Sequence, residues 1–217
     1  MMLSLIFDMD GTLFQTDKIL ESSLHDTFEH LRSQGLWNHG TPIEKYREIM
    51  GVPLPVVWEN LLPGHSDEIR NQANEWFHGR LIEHISSGKG ALYPGVEEFF
   101  QLCKDREIPI YIASNGQIEY LESIVSYYHL HEWVTETFSI QQIESQNKSD
   151  LVQTIIQKYR ITQGIVIGDR LSDIKAAKEN GLRSIGCNFD FAQPDELAQA
   201  DRVINSLMEL KTEIDKA

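Results

Sequence analysis

Short apolar runs alternate with stretches of helical periodicity along most of this 217-residue chain. Apolar runs at 3–7, 108–113, 137–140, 164–167, 183–187 and 202–204 predict six strands. The first, LSLIF, has the unbroken hydrophobicity of a strand buried on both faces. Between the runs, Val96, Phe99, Leu102 and Cys103 share one helical face, and Ile118, Leu121, Ile124 and Val125 another. Leu151, Val152, Ile155, Ile156 and Tyr159 form a third, with Ser149 as its expected N-cap. The helix DIKAAKEN follows, with Ser172 expected to cap it and Gly181 to close it. Such alternation predicts an α/β fold of three layers, a Rossmann-like parallel sheet with helices on both faces. In such sheets ligands bind outside the carboxyl ends of the strands.

One region departs from the alternation. From about residue 17 to 87 no run reads as a strand, and helical spacing dominates. Ile19, Leu20, Leu24, Phe28 and Leu31 make one stripe, and Trp76, Phe77, Leu81 and Ile85 another. The breakers Gly40–Thr41–Pro42, GVPLP from Gly51, and Pro63–Gly64 divide the region into several helices. The expected organisation is a core domain built from 1–15 and 88–217, interrupted by an α-helical cap domain over 16–87, with SSGKGALYPG as the linker back.

Composition narrows the class. Apolar residues make up 41% of the chain and charged residues 24%, the balance of a folded globular protein. The formal charge of −14 disfavours nucleic acid and anionic lipid as partners, and obliges any anionic substrate to find a locally positive pocket. Cys103 and Cys187 lie far apart in apolar segments, the pattern of core thiols in a reducing compartment. No apolar run approaches membrane-spanning length, and the expectation is a cytoplasmic protein, monomeric or a weak homodimer.

Chemistry concentrates where strands end. The first strand runs into Asp8 and Asp10, one residue apart, followed by Gly11 and Thr12. Asp and Gly often end strands in turns, but two carboxylates this close need a cation or a shared proton. A calcium loop does not account for them, because its Gly follows a third ligand and a Glu closes it. IVIGDRLSDIK supplies Asp169 and Asp173 at the end of another strand. Carboxylates converging from two strand ends suit a hard divalent cation, and Mg²⁺ fits such oxygen donors. Ser114 and Asn115 follow the second strand, and Lys148 precedes the third helix. Each alone reads as an ordinary turn or surface charge. Together they suit phosphate, with hydroxyl, backbone N–H and ammonium donors.

D-x-D-G-T after a first strand, a Ser after a second, a Lys, then G-D-x-x-x-D resemble the motifs of the haloacid dehalogenase superfamily, in order and over the whole chain. The helical insert after the first motif is similar to the cap of its phosphoglycolate phosphatase and β-phosphoglucomutase branch. The resemblance implies a Mg²⁺-dependent phosphatase acting on a small phosphorylated metabolite. Asp8 then matches the nucleophile that becomes an aspartyl phosphate, and Asp10 the general acid and base. Asp8, Asp169 and the Asp10 carbonyl would hold the metal, with Asp173 in support. Thr12, Ser114, Asn115 and Lys148 would form the phosphate-binding set, with Thr12 also steadying the loop or the second carboxylate. Members that displace halide lack the second Asp, since halide needs no proton, so Asp10 argues against dehalogenation.

Two features depart from the family pattern. Ser149 stands where Pro often follows the motif Lys, and a Ser still caps a helix. In the cap loop MGVPLPVVW, relatives acting on sugar phosphates often carry an Arg where this chain has Leu54. That argues against a bisphosphate mutase and against a doubly anionic substrate, unless Lys45, Arg47 or Arg170 compensates. Tyr46, Met50, Leu54 and Trp58 are the candidates to line a specificity pocket, with core packing the competing role for Trp58. The alternatives to a phosphatase are a phosphomutase of the β-phosphoglucomutase type and a non-catalytic phosphate-binding or regulatory protein.

Overall fold

The computed structural model describes residues 3–49, 52, 54–190 and 192–215. The chain forms two compact units, one of residues 1–15 with 92–217 and one of residues 16–91.

The first unit is an α/β layer structure around a six-stranded sheet of order β3-β2-β1-β4-β5-β6. The strands are β1 (Leu3–Phe7), β2 (Ile110–Ser114), β3 (Val134–Ser139), β4 (Gln163–Gly168), β5 (Arg183–Cys187) and β6 (Arg202–Ile204), all paired in parallel. β1 therefore sits inside the sheet, flanked by β2 and β4, and all five of its side chains are buried. Alternate residues serve opposite faces. Ile6 joins the cluster of Tyr111, Leu151, Val152, Ile155 and Val166. Phe7 instead packs edge-on against Phe99 and Phe100, at ring-centroid distances of 6.3 and 5.3 Å. Those rings belong to α5 (Val96–Asp105), numbered after the four helices of the second unit. Chain order reverses between β1 and β4, and a crevice opens at such a switch point.

Most strand expectations hold within a residue or two. The third was expected from residue 137, but β3 begins at Val134. Its first half carries polar or half-buried side chains, which hide an edge strand from a hydrophobicity reading. Ile140, expected as the last residue of that strand, opens a 3₁₀ turn.

Two expected caps are replaced by near neighbours. Asn147, not Ser149, caps α7 (Lys148–Tyr159), its side chain accepting from the Ser149 N–H at 2.9 Å. Starting the helix two residues earlier than a Ser149 cap allows brings Lys148 into its first turn. Ser172 lies inside α8 (Leu171–Glu179) and does not cap it. Asp173 there accepts from the Arg170 N–H at 3.0 Å, and Glu196 accepts from the Leu171 N–H at 2.8 Å. Gly181 ends this helix in the left-handed region, as expected.

The chain leaves this unit at Gln15 and returns at Leu92. The two crossing segments are tied together where they meet. Gln15 Nε2 donates to the Leu92 carbonyl at 2.6 Å, and the Tyr93 N–H donates to the Leu13 carbonyl at 2.9 Å.

The second unit is all helical: α1 (Asp17–Ser33), α2 (Ile43–Glu48), α3 (Leu54–Leu61) and α4 (Asp67–Ser86). Ile19, Leu20, Leu24, Phe28 and Leu31 are buried along α1, as their spacing predicts. Trp58 is 1% exposed and packs with Phe28 and Phe77, while its Nε1–H donates to Asn74 Oδ1 at 2.8 Å. A buried indole with its N–H satisfied is a core anchor. Tyr46 is likewise buried, against Phe77. Trp76, expected in the apolar stripe of α4, is instead exposed and stacks on His30. Among the described residues no helix is long and apolar enough to cross a membrane.

Candidate active site

The loop after β1 closes tightly. The N–H groups of Leu13 and Phe14 both donate to the Met9 carbonyl at 2.9 Å, and the Gly11 N–H donates to the Phe14 carbonyl. Gly11 has φ +74°, and a Cβ there would lie 2.5 Å from Asp169 Oδ2. Only glycine permits both that backbone and that approach. The β1 loop and the end of β4 thus meet at van der Waals distance.

Four charged side chains converge there. Asp8, Lys148, Asp169 and Asp173 are 7, 6, 5 and 2% exposed. Lys148 Nζ donates to Asp8 Oδ1 at 2.6 Å and lies 2.5 Å from Asp173 Oδ1. One oxygen from each of Asp8, Asp169 and Asp173 falls within 4.8 Å of the others. Thr12 Oγ1 donates to Asp169 Oδ1 at 3.4 Å. Gly168 makes room for Asp173, since a Cβ at 168 would sit 2.1 Å from the Asp173 Cγ.

Electrostatics follow from that crowding. Burial, offset by Lys148 and reinforced by Asp173 and Asp10, pushes the Asp8 carboxyl up to about 7. Burial, with Asp8 and Asp173, holds Asp169 well above the usual carboxylate range. Burial alone would lower Lys148, but the Asp173 and Asp8 carboxylates outweigh it and hold the ammonium above its ordinary value. Three ionised carboxylates and one ammonium sum to −2, the charge that a single divalent cation neutralises. The buried all-oxygen donor set suits Mg²⁺ and offers no soft ligand. On charge and donor chemistry the residues fit such an ion.

The other expected residues differ in their surroundings. Asp10 is half-buried and accepts a hydrogen bond from the Tyr120 hydroxyl on Oδ1 at 2.5 Å. Its side chain does not belong to the three-carboxylate cluster. Ser114 is buried at the end of β2, and its Oγ accepts from the Gly116 N–H at 3.0 Å. Asn115, the next residue, is exposed.

In the helical unit, Tyr46 and Trp58 are packed into the core, and Leu54 opens α3 half-buried. Met50 lies outside the described residues. The cations considered as substitutes for the missing Arg are engaged. Arg47 pairs with Glu21 and Glu44, Lys45 donates to the Asn60 carbonyl, and Arg170 pairs with Glu196 at 3.0 Å.

Two residues of this centre escape a reading of the sequence alone. Tyr120 looks like one more apolar position of α6 (Ile118–Tyr127), beside Leu121 and Ile124. Glu196 looks like a surface charge, yet it holds both the Arg170 side chain and the start of α8.

The haloacid dehalogenase-like hydrolase family model matches residues 5–187, and the chain belongs to that family. Among curated relatives, the CbbY protein of Cereibacter sphaeroides is 22% identical over 95% of this chain and 93% of its own length. The pyrophosphatase PpaX of Listeria monocytogenes is 22% identical over 90% of this chain and 88% of its own. Phosphoglycolate phosphatase of Vibrio vulnificus is 22% identical over 68% of this chain and 67% of its own. The structure of CbbY from Rhodobacter sphaeroides in complex with phosphate superposes with a TM-score of 0.81, at 20% identity, covering 97% of this chain and 96% of that one. A haloacid dehalogenase-like hydrolase of Streptococcus pneumoniae superposes with a TM-score of 0.79, at 19% identity, covering 98% of both chains.

Proposed function

We propose that this chain is a Mg²⁺-dependent phosphatase that hydrolyses a small phosphomonoester through an aspartyl phosphate on Asp8. The observation that carries the reading is the buried cluster of Asp8, Asp169, Asp173 and Lys148 at the switch point of the sheet. A relative named phosphoglycolate phosphatase supports a phosphomonoester, and one named pyrophosphatase supports the broader class of small phosphorylated compounds.

Asp8 attacks phosphorus, and the bond from phosphorus to the ester oxygen breaks. Asp10 delivers a proton to the departing alkoxide, which leaves as the alcohol. Asp10, now ionised, takes a proton from water as the water oxygen attacks the phosphorus of the acyl phosphate. Inorganic phosphate departs and the Asp8 carboxylate is restored. Lys148 and Ser114 bind phosphoryl oxygens during both transfers, and Asn115 adds a donor at the rim. Asp8, Asp169 and the Asp10 carbonyl would hold Mg²⁺, with Asp173 in support, and the ion would supply charge neutralisation for the incoming phosphate.

Phosphate release from a panel of phosphomonoesters, with and without Mg²⁺, tests this reading. The expected result is metal-dependent turnover that Asp8→Asn abolishes. Turnover that survives Asp8→Asn, or folded protein that binds Mg²⁺ yet hydrolyses no ester, overturns it.

A further inference from the structure

We infer that Tyr120 is a positioning residue for Asp10, fixing the carboxylate that moves the proton in both half-reactions. The inference rests on the phosphatase reading above and adds a residue to it. The Tyr120 hydroxyl donates to Asp10 Oδ1 at 2.5 Å across 110 residues of sequence. The ring is 4% exposed, and a Cβ on Gly116 would meet its Cδ1 at 3.0 Å, so it lies closely over the Gly116 backbone. The Gly116 N–H is in turn bonded to Ser114 Oγ. A single packed segment therefore joins the hydroxyl assigned to phosphate binding with the carboxylate assigned to proton transfer.

Asp10 is held differently from the clustered carboxylates. The Asp8 and Asp173 carboxylates are gripped by the buried ammonium of Lys148, and Asp169 accepts from Thr12. Asp10 is half-buried, and its side chain lies outside that cluster. A general acid displaced by about 1 Å loses on the order of 100-fold in rate. A tyrosine held by packing at its ring can orient a carboxylate with little entropic cost, because few rotors remain to be frozen.

Tyr120→Phe removes only the hydroxyl and keeps the ring. The decisive comparison uses two substrates with Mg²⁺ present. One is an alkyl phosphate, whose alkoxide needs a proton to leave. The other is 4-nitrophenyl phosphate, whose phenolate leaves without one. For the alkyl ester, kcat should fall 10- to 100-fold with KM within about twofold of wild type. For the aryl ester, the first turnover of nitrophenolate should keep its rate while steady-state turnover slows, so that a burst persists or grows, because only the water step still needs Asp10.

A variant with unchanged kcat on the alkyl ester overturns the inference, as does a burst slowed as much as the alkyl reaction. A loss accompanied by a drop in melting temperature, equal for both substrates and both steps, assigns Tyr120 a structural role instead. Wild-type protein that hydrolyses neither substrate overturns the phosphatase reading and this inference with it. An active, Asp8-dependent wild type beside an unaffected Tyr120→Phe overturns this inference alone.

Discussion

Lys148 lies 140 residues from Asp8 in sequence, yet its ammonium donates to Asp8 Oδ1 at 2.6 Å inside the core. The same nitrogen is 2.5 Å from Asp173 Oδ1, so one cation bridges two buried carboxylates. Removing one partner of such a group leaves uncompensated charge, which costs about 3–5 kcal/mol. In chelator at neutral pH, Lys148→Met should therefore destabilise the fold by several kcal/mol, read by urea denaturation. The deficit should shrink at pH 5, where the stranded Asp8 carboxyl takes up a proton. An equal deficit at both pH values would count against the ion-pair account. Activity should be lost at either pH.

Asp8 gives the metal-free protein a second pH signature. Its folded-state value of about 7 lies above the ordinary 3.8. Between those values the folded state binds more protons than the unfolded state, so stability falls as pH rises. The loss should amount to a few kcal/mol between pH 4 and 7, and should level off above 7. Chemical denaturation across that range in chelator should show the decline in wild type and a flatter profile in Asp8→Asn. Mg²⁺ should remove most of the difference, since it stabilises the ionised form.

Gly168 offers a steric test of the carboxylate cluster. Its hypothetical Cβ would lie 2.1 Å from the Asp173 Cγ, nearer than any non-bonded contact permits. Gly168→Ala should push Asp173 away from Lys148 and loosen the cation site. Titration calorimetry should show Mg²⁺ affinity weakened at least tenfold, with the melting temperature lowered by several degrees. Unchanged affinity would mean that Asp173 contributes nothing to metal binding.

The helical unit carries its own titratable flaw. His78 is buried in α4, and neither ring nitrogen has a hydrogen-bond partner among the described residues. Desolvation lowers its value to about 4 from the ordinary 6.5. The unfolded state binds more protons between those values, so stability is lost as pH falls from 6.5 towards 4. His78→Phe should raise stability by about 1–3 kcal/mol, because an unsatisfied buried polar group is removed. Thermal melts at pH 5 should show a larger gain than melts at pH 7.5.

The parts of this architecture that a sequence exposes are those governed by periodicity and by charge in apolar surroundings. Continuous hydrophobic runs mark β1, β2, β4 and β5 because both faces of a parallel sheet are covered. Asp8 and Asp169 stand out because each ends such a run. The parts that stay hidden depend on three-dimensional choice among similar groups. Asn147 and Ser149 are both able caps, and only the position required of Lys148 selects the first. β3 is disguised by its polar opening residues, and Tyr120 by the apolar face of α6. Trp58 and Tyr46 show the reverse case, where large side chains near a suggestive loop are committed to packing. Strand order was not written in the pattern either, since alternation predicts a parallel sheet without saying which strands are neighbours.

That order has a consequence for the living cell. The sheet puts β1 between β2 and β4, so the earliest-made strand waits for partners translated about 100 and 160 residues later. A nascent chain on the ribosome carries Asp8 from the start, but Lys148 and Asp169 reach it only after β4 and α7 have left the exit tunnel. Until then Asp8 has neither its ammonium nor the rest of its cluster. The timetable of synthesis itself decides when four buried charges can first meet.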